Sequence, residues 1–410
     1  MGILPVNLRD LLTEGGVKDT SRLKLLRTIM ARPGTQAYLS RRSGLSQGTV
    51  SDAVRDLEAI GYVHSDKDGR SKAVTIARTT GAAVGIELGF RYAAVVARRV
   101  EQSYDDAQVK LCSAGAAMGA GRWVEEVARA VRDAVTELEE EEIAAIGLGV
   151  PRVVDPQTGE LAPPFMPPWA EGENPAEMLA DELRSGSGPT FVAPRVVLDN
   201  DANVAAYAES IYGFENAVTL IGIKASTGIG AGIVIDGKIF RGARGTAGEI
   251  GHIVVDPRGR FCSCGGRGCL ETVIGADALV EQARTVLGHR RMESPQDLEE
   301  LVRMASRGNL ACERVLREAA TTLGFAIGNL CNILNPNVVV LSGAFGRAEA
   351  TRFTLEPCDE AIRRSAMRAA TDERLTVSAT KIPHPAAHGA LVVALDGTSY
   401  RSAAGRGRRR

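Results

Sequence analysis

Absences bound this 410-residue chain before any motif does. No stretch approaches the roughly 18 uninterrupted apolar residues of a membrane-spanning helix, so a helical membrane protein is not expected. The opening segment MGILPVNLRDLLTEGG has no sustained apolar core and no cleavage signal, so secretion is not expected either. A charge excess is missing: 49 Lys and Arg against 50 Asp and Glu leave a formal net charge of −1, which by itself names no partner. A disulfide framework is missing as well. The seven cysteines are an odd number, and three of them crowd into residues 262–269, which fits a reduced, cytoplasmic protein.

What is present is ordinary for a globular chain, with 44% apolar and 24% charged residues and length for two or three domains. The 45 glycines announce tight turns and close backbone approaches. The charges are unevenly placed. Residues 1–79 hold 13 Lys and Arg against 8 Asp and Glu, and the rest of the chain holds 36 against 42. A basic leading segment on an acidic body suits a nucleic-acid partner at that end.

Residues 21–76 divide cleanly. Ser21 can cap a helix whose apolar face is Leu23, Leu26, Ile29 and Met30, and Pro33-Gly34 stops it. Thr35 can cap a second, short helix. SGLS (43–46) makes a turn, and Ser46 caps a third helix with Val50, Val54, Leu57 and Ile60 on one face, ended by Gly61. Two β-rich runs around Asp68-Gly69 then read as a hairpin. This order is that of a winged helix-turn-helix, whose third helix enters the major groove by its N-terminal half. Ser46, Gln47, Thr49, Ser51 and Arg55, with Asp52 among them, are the expected DNA-facing residues of that helix. Arg41 and Arg42 before it, and Lys67, Arg70 and Lys72 in the wing, are expected phosphate contacts.

From Val84 onward strands alternate with helices, an α/β body expected to form two lobes with a cleft. Within it, GEIGHIVVDPRGRFCSCGGRGCLE (248–271) has almost nothing apolar to bury. His252, Cys262, Cys264 and Cys269 form a Cys₃His set, the closed donor set of a structural Zn²⁺. Gly265, Gly266 and Gly268 let the loop fold back so that the sulfurs converge. Cys112, Cys312, Cys331 and Cys358 read as small core residues, and His289, His384 and His388 have no comparable neighbours.

EIGH followed by CSCGGRGCLE resembles the signature of the ROK family, named for repressors, open reading frames and kinases. The segments GVPRVVDPQTGEL, LDNDANVAAYAE and STGIGAGIV are similar to further family motifs in the same order. The resemblance runs from about Val84 to near the C-terminus, and it implies an actin-like, two-lobed sugar-kinase fold. With the winged helix at 1–79, it implies a small lobe at 80–198 joined by a returning helix at about 385–397. A large lobe carrying the zinc loop would occupy 199–384, and a basic tail 398–410. Asn200, Asp201, Glu249, His252 and Glu271 match the family's sugar-binding positions, and Asp201 matches the kinases' general base. The zinc then orders the loop that carries Glu249, His252 and Glu271 rather than taking part in chemistry.

Two functions follow: a sugar-responsive transcriptional regulator, and an active ATP-dependent sugar kinase with an added DNA-binding domain. GIELGFRYAAVV separates them. Where the family's kinases carry an Asp, two glycines and a Thr against the nucleotide phosphates, this chain has Glu87, Gly89, Phe90 and Arg91. A carboxylate one methylene too long, a ring and a lost hydroxyl argue for a vestigial Asp201 and no catalysis. STGIGAGI, with Thr227, Gly228, Gly230 and Gly232, and LSGAFG survive, but alone they serve equally as structural turns. Arg152 and Phe165 replace a usual Gly and Asn near the sugar. The expected protein is a homodimer or homotetramer that presents paired winged helices to operator DNA of carbohydrate-metabolism genes. A sugar effector alters their spacing. A ROK body kept only for oligomerisation is a third reading.

Overall fold

The computed structural model describes residues 6–7, 20–68, 71–77, 79–102, 104–162, 169–170, 172–185, 195–288 and 294–396. In chain order it opens with β1 (Val6–Asn7), α1 (Thr20–Ala31), β2 (Gly34–Thr35), α2 (Gln36–Ser43), α3 (Gln47–Ala59), β3 (Val63–Asp68), β4 (Ser71–Ile76) and β5 (Thr79–Thr80). Next come β6 (Ala82–Leu88), β7 (Ala93–Arg99), β8 (Gln108–Cys112), α4 (Ala120–Glu137), β9 (Ile143–Val150), α5 (Pro175–Ser185), β10 (Val197–Asn200) and α6 (Asp201–Ala208). A second series follows with β11 (Thr219–Ala225), β12 (Ile229–Ile235), β13 (Lys238–Ile239), α7 (Leu270–Ile274), α8 (Ala276–Val286), α9 (Leu298–Ser306) and α10 (Leu310–Leu334). It closes with β14 (Val338–Gly343), α11 (Leu355–Ser365), β15 (Thr376–Ala379) and α12 (Pro385–Asp396). The chain forms two compact units, one of residues 1–204, 243–245 and 386–410, the other of 205–242 and 246–385.

The first unit begins with the winged helix. Thr35 caps α2 through its side chain, and Gly44 closes that helix in the left-handed region at φ 66°. Ser46 caps α3 by accepting from the Thr49 N–H at 3.1 Å. Val50, Ala53, Val54 and Leu57 bury one face of α3, and Leu25, Leu26, Ile29, Met30 and Leu39 are fully buried in the same module. The hairpin pairs Asp68 with Ser71, and β2 adds a third strand against β4.

The unit's main sheet has the order β10-β9-β6-β7-β8. Strands β6 and β9 are buried along their whole length, as near-continuous apolar runs require when both sheet faces are covered. One face packs under α4, where Trp123, Val127 and Val131 join Val84, Ile86, Ile146 and Leu148. Trp123 sits 5.6 Å from Trp169, whose indole N–H donates to the Ala116 carbonyl. On the other face lies α12. A Cβ added at Gly85 would stand 2.0 Å from the Ala387 carbonyl oxygen, and one at Gly147 would stand 2.0 Å from that of Ala390. Only glycine lets a helix backbone approach a strand this closely.

The second unit holds a sheet ordered β13-β12-β11-β14-β15, with β11 antiparallel to β12 and parallel to β14. Its core is built on α10, where Cys312, Leu316, Leu323, Ile327 and Cys331 pack with Leu301, Phe345, Phe353 and Ile362. Asn309 caps α10 by accepting from Ala311 and Cys312, each at 3.1 Å. Following α6, residues Glu209–Gly213 wind as a π-helical turn. Among the described residues no helix is long and apolar enough to cross a membrane.

Candidate functional site

The metal loop lies in the second unit. It begins with a short 3₁₀ turn at Ile250–His252 and ends where Cys269 meets α7. Between them the chain doubles back, bridging Val254 to Cys269 and Phe261 to Arg267. The Cys262 N–H donates to the Gly266 carbonyl at 2.9 Å, and the Gly265 N–H to that of Cys262 at 3.0 Å. Gly268, at φ 72°, passes so close to Asp256 that an added Cβ would lie 1.6 Å from its carbonyl oxygen. Here only glycine fits, and that contact turns the chain so the third cysteine faces the first two.

One ligand atom from each of His252, Cys262, Cys264 and Cys269 falls within a group whose members lie within 4.8 Å of one another. His252 Nδ1 is 3.5 Å from Cys262 Sγ, and Cys264 Sγ is 3.7 Å from Cys269 Sγ. Tetrahedral bonds of about 2.0–2.3 Å give edges of roughly 3.5–3.8 Å, so the donor set fits zinc in kind and in spacing. The Gly266 N–H holds the Cys264 thiol below its ordinary pKa, while burial and the adjoining thiols push Cys269 up to about 12. Three sulfurs and an imidazole gathered this tightly could hold a metal ion. The other imidazole nitrogen, Nε2, points toward Glu249, 3.7 Å from Oε2. Glu271, in the first turn of α7, accepts from the Ile229 N–H at 3.1 Å and so ties the metal loop to the start of β12.

In the first unit, Asn200 and Asp201 stand at the end of β10 and the start of α6. The Asn200 side chain caps that helix. Its Oδ1 accepts from Ala202 at 3.0 Å and Asn203 at 3.1 Å, and its amide donates to the Arg152 carbonyl at 3.1 Å. Asp201 is 8% exposed. At the turn between β6 and β7, Glu87 is 2% exposed and accepts from the Tyr92 hydroxyl at 3.2 Å. Phe90, at the same turn, is 42% exposed. The phenol that engages the carboxylate is Tyr92, which residue pattern did not single out.

On α3, Gln47, Ser51, Asp52 and Arg55 are exposed along one side. Ser46 and Thr49 are occupied in the cap, their hydroxyls 2.8 Å apart. Arg55 lies 3.0 Å from Asp52 and 3.7 Å from Asp56, and Asp56 also meets Arg22. Arg41 is exposed and Arg42 half-buried. Arg70, Phe165, His289 and the basic tail fall outside the described residues, as do the side chains of Lys67 and Lys72.

A three-helix module with a wing, in one compact unit with the first α/β sheet, defines a DNA-binding protein. Residues 16–71 match the MarR family model and residues 83–396 match that of the ROK family. The chain belongs to the ROK family. It is 28% identical to the xylose repressor of Caldicellulosiruptor bescii over 350 residues, covering 79% of this chain and 83% of that protein. It is 30% identical to the glucokinase of Thermotoga maritima over 240 residues, 56% of this chain and 73% of the enzyme. Among solved structures, a ROK family transcriptional regulator homologous to the E. coli MLC protein superposes with a TM-score of 0.69. That match has 19% identity and covers 92% of this chain and 96% of the other, so it carries the fold: a winged helix followed by the actin-like ROK body.

Proposed function

We propose that the chain is a sugar-responsive transcriptional regulator, acting as a repressor of carbohydrate-metabolism genes from the cytoplasm. Residues 1–79 bind operator DNA. Residues 80–198 with the returning α12, and residues 199–384, supply the two lobes of the effector-binding body. A homo-oligomer would present two winged helices to a two-fold operator. Gln47, Ser51 and Arg55 would read bases, with Ser46 and Thr49 fixing the helix start. Arg41, Arg42, Lys67, Arg70 and Lys72 would meet phosphates. Asn200, Asp201, Glu249, His252 and Glu271 would hold sugar hydroxyls. Zinc on His252, Cys262, Cys264 and Cys269 would supply a fixed cation that orders the loop carrying three of them.

The observation that carries this reading against a kinase is Glu87. In a kinase the equivalent carboxylate serves the nucleotide's metal and phosphates, whereas here it is buried and taken up by the Tyr92 hydroxyl. Phosphoryl transfer rests almost wholly on positioning phosphate and metal, so this loss removes catalysis. The kinase alternative draws its support from the glucokinase similarity and from the glycine turn at Thr227, Gly228, Gly230 and Gly232.

A thermal-shift screen of the zinc-loaded protein against aldoses, amino sugars and their phosphates, each with and without magnesium-ATP, tests both. Stabilisation by a sugar alone, followed by a change in operator affinity with that sugar, is expected. Stabilisation that requires ATP, with sugar phosphate formed, would establish the kinase instead.

A further inference from the structure

We propose that Arg98 is a positioning residue that locks the winged helix onto the body of the first unit and so lets operator affinity follow the body's state. The second half of that statement rests on the regulator reading above. Strand β7 alternates: Ala93, Val95 and Ala97 join the core beneath α4, while Arg98 lies on the opposite face, in register with Ala83. A guanidinium carries its charge at every accessible pH, yet this one is 1% exposed, with no carboxylate partner among the described residues.

All five of its hydrogen bonds end on backbone carbonyls. From Nη1 they reach Arg99 at 3.1 Å, Val100 at 2.7 Å and Gln102 at 3.1 Å. From Nη2 they reach Met30 at 3.1 Å and Ala31 at 3.4 Å. The last two are terminal carbonyls of α1, the negative end of its dipole, where a helix leaves acceptors unsatisfied. No glycine caps α1, since Arg32 and Pro33 follow. The cap comes instead from a side chain 68 residues further along the sequence.

The loop that grips Nη1 leads to Tyr104, whose ring stands edge-on to His388 at 5.8 Å between centroids. His388 is buried on α12, and α12 begins where the chain returns from the second unit at 385–386. Tyr104 and His388 both lie in the first unit, so this ring contact joins α12 to the segment that follows the guanidinium's loop. A winged helix on a loose tether needs neither the buried charge nor this line of contacts.

Arg98→Met keeps the stem and removes the donors. Three readings on the full-length, zinc-loaded chain decide the matter. The first is affinity for D-xylose, D-glucose and N-acetyl-D-glucosamine. The second is affinity, with and without each sugar, for a duplex selected from a random pool by the wild type. The third is amide exchange at Arg32, whose N–H bonds to the Thr28 carbonyl at 3.1 Å. In R98M, sugar affinity is expected to stay, exchange at Arg32 to quicken, and the sugar-dependent ratio of duplex affinities to fall within about twofold of one. A variant with wild-type exchange and wild-type ratio overturns the proposal. A wild type whose duplex affinity ignores every sugar counts against the regulator reading instead, and exchange at Arg32 still tests the lock. Should R98M fail to fold, Arg98→Lys, which keeps charge but not the fork, should show a reduced ratio. A Lys variant equal to wild type in ratio and exchange also overturns it.

Discussion

Glu209 is a carboxyl with little water to ionise into. It is 2% exposed, bonded by the Thr380 hydroxyl, and its Oε2 lies where Gly213 has room for no side chain. Burial pushes its pKa from 4.5 up to about 7, although Thr380 and Lys381 pull the other way. A folded-state value above the unfolded one means the folded protein holds the proton more tightly. The stabilisation is therefore complete below about 4.5 and disappears as pH rises through about 7. The wild type should lose about 2–3 kcal/mol of second-unit stability between pH 5 and 8, and Glu209→Gln should remove that slope. Urea melts at the two pH values check this, and a slope that survives in the Gln variant refutes it. Gly268 makes the companion case. Gly268→Ala places a methyl 1.6 Å from a carbonyl oxygen at φ 72°, so the metal loop must shift. Zinc stoichiometry below one per chain is expected, and full occupancy at wild-type affinity would contradict it. At this scale the donor set was legible in the sequence because Cys and His announce their chemistry. Arg98 and Tyr92 were not, since a charge or phenol inside an apolar strand shows its partner only after folding.

Elements tell a similar story through their caps. Thr35, Ser46, the SGLS turn and Asp68-Gly69 made the winged helix readable, because each answers a local demand of the backbone, whereas Ser21, expected as the first helix's cap, lies inside α1. Strands β9 and β14 were readable as buried apolar runs, and β6 and β11 as strands beside glycine turns. Strand β8 was not. It half-buries Gln108 and Lys110 while exposing Val109 and Leu111, a pattern imposed by its place at the sheet edge. Helices α8, α9 and α11 are short amphipathic pieces whose identity comes from packing around α10. On α3 the expected consequences are specific. Arg55→Ala should weaken operator binding about ten- to hundredfold while changing the melting temperature little, because its ion pairs are solvent-exposed. Arg41→Ala should instead lower the salt dependence by about one unit of slope. Binding titrations at several salt concentrations separate the two, and an Arg55→Ala protein with wild-type affinity would remove α3 from the interface.

For the whole molecule, chelation is the sharpest lever. Removing zinc should abolish sugar binding before it unfolds either unit, because Ile250 and Leu270 anchor the two ends of the loop in the core while residues 254–267 between them bury no apolar side chain. A chelated protein that binds sugar normally would refute the supporting role of the metal. The contact of α12 with Gly85 and Gly147 is a second lever. Gly147→Ala sets a methyl against the Ala390 carbonyl and should cost about 1–3 kcal/mol by urea melt. The same contact governs how the protein is made. Residues 386–396 complete a sheet whose own strands end at residue 200, with the entire second unit synthesised in between. At typical translation speeds that face waits some 10–40 s for its helix. A polypeptide released early, before residue 386, leaves those glycine-bearing strands uncovered. The ribosome therefore cannot finish the DNA-binding unit without having already delivered every residue of the other.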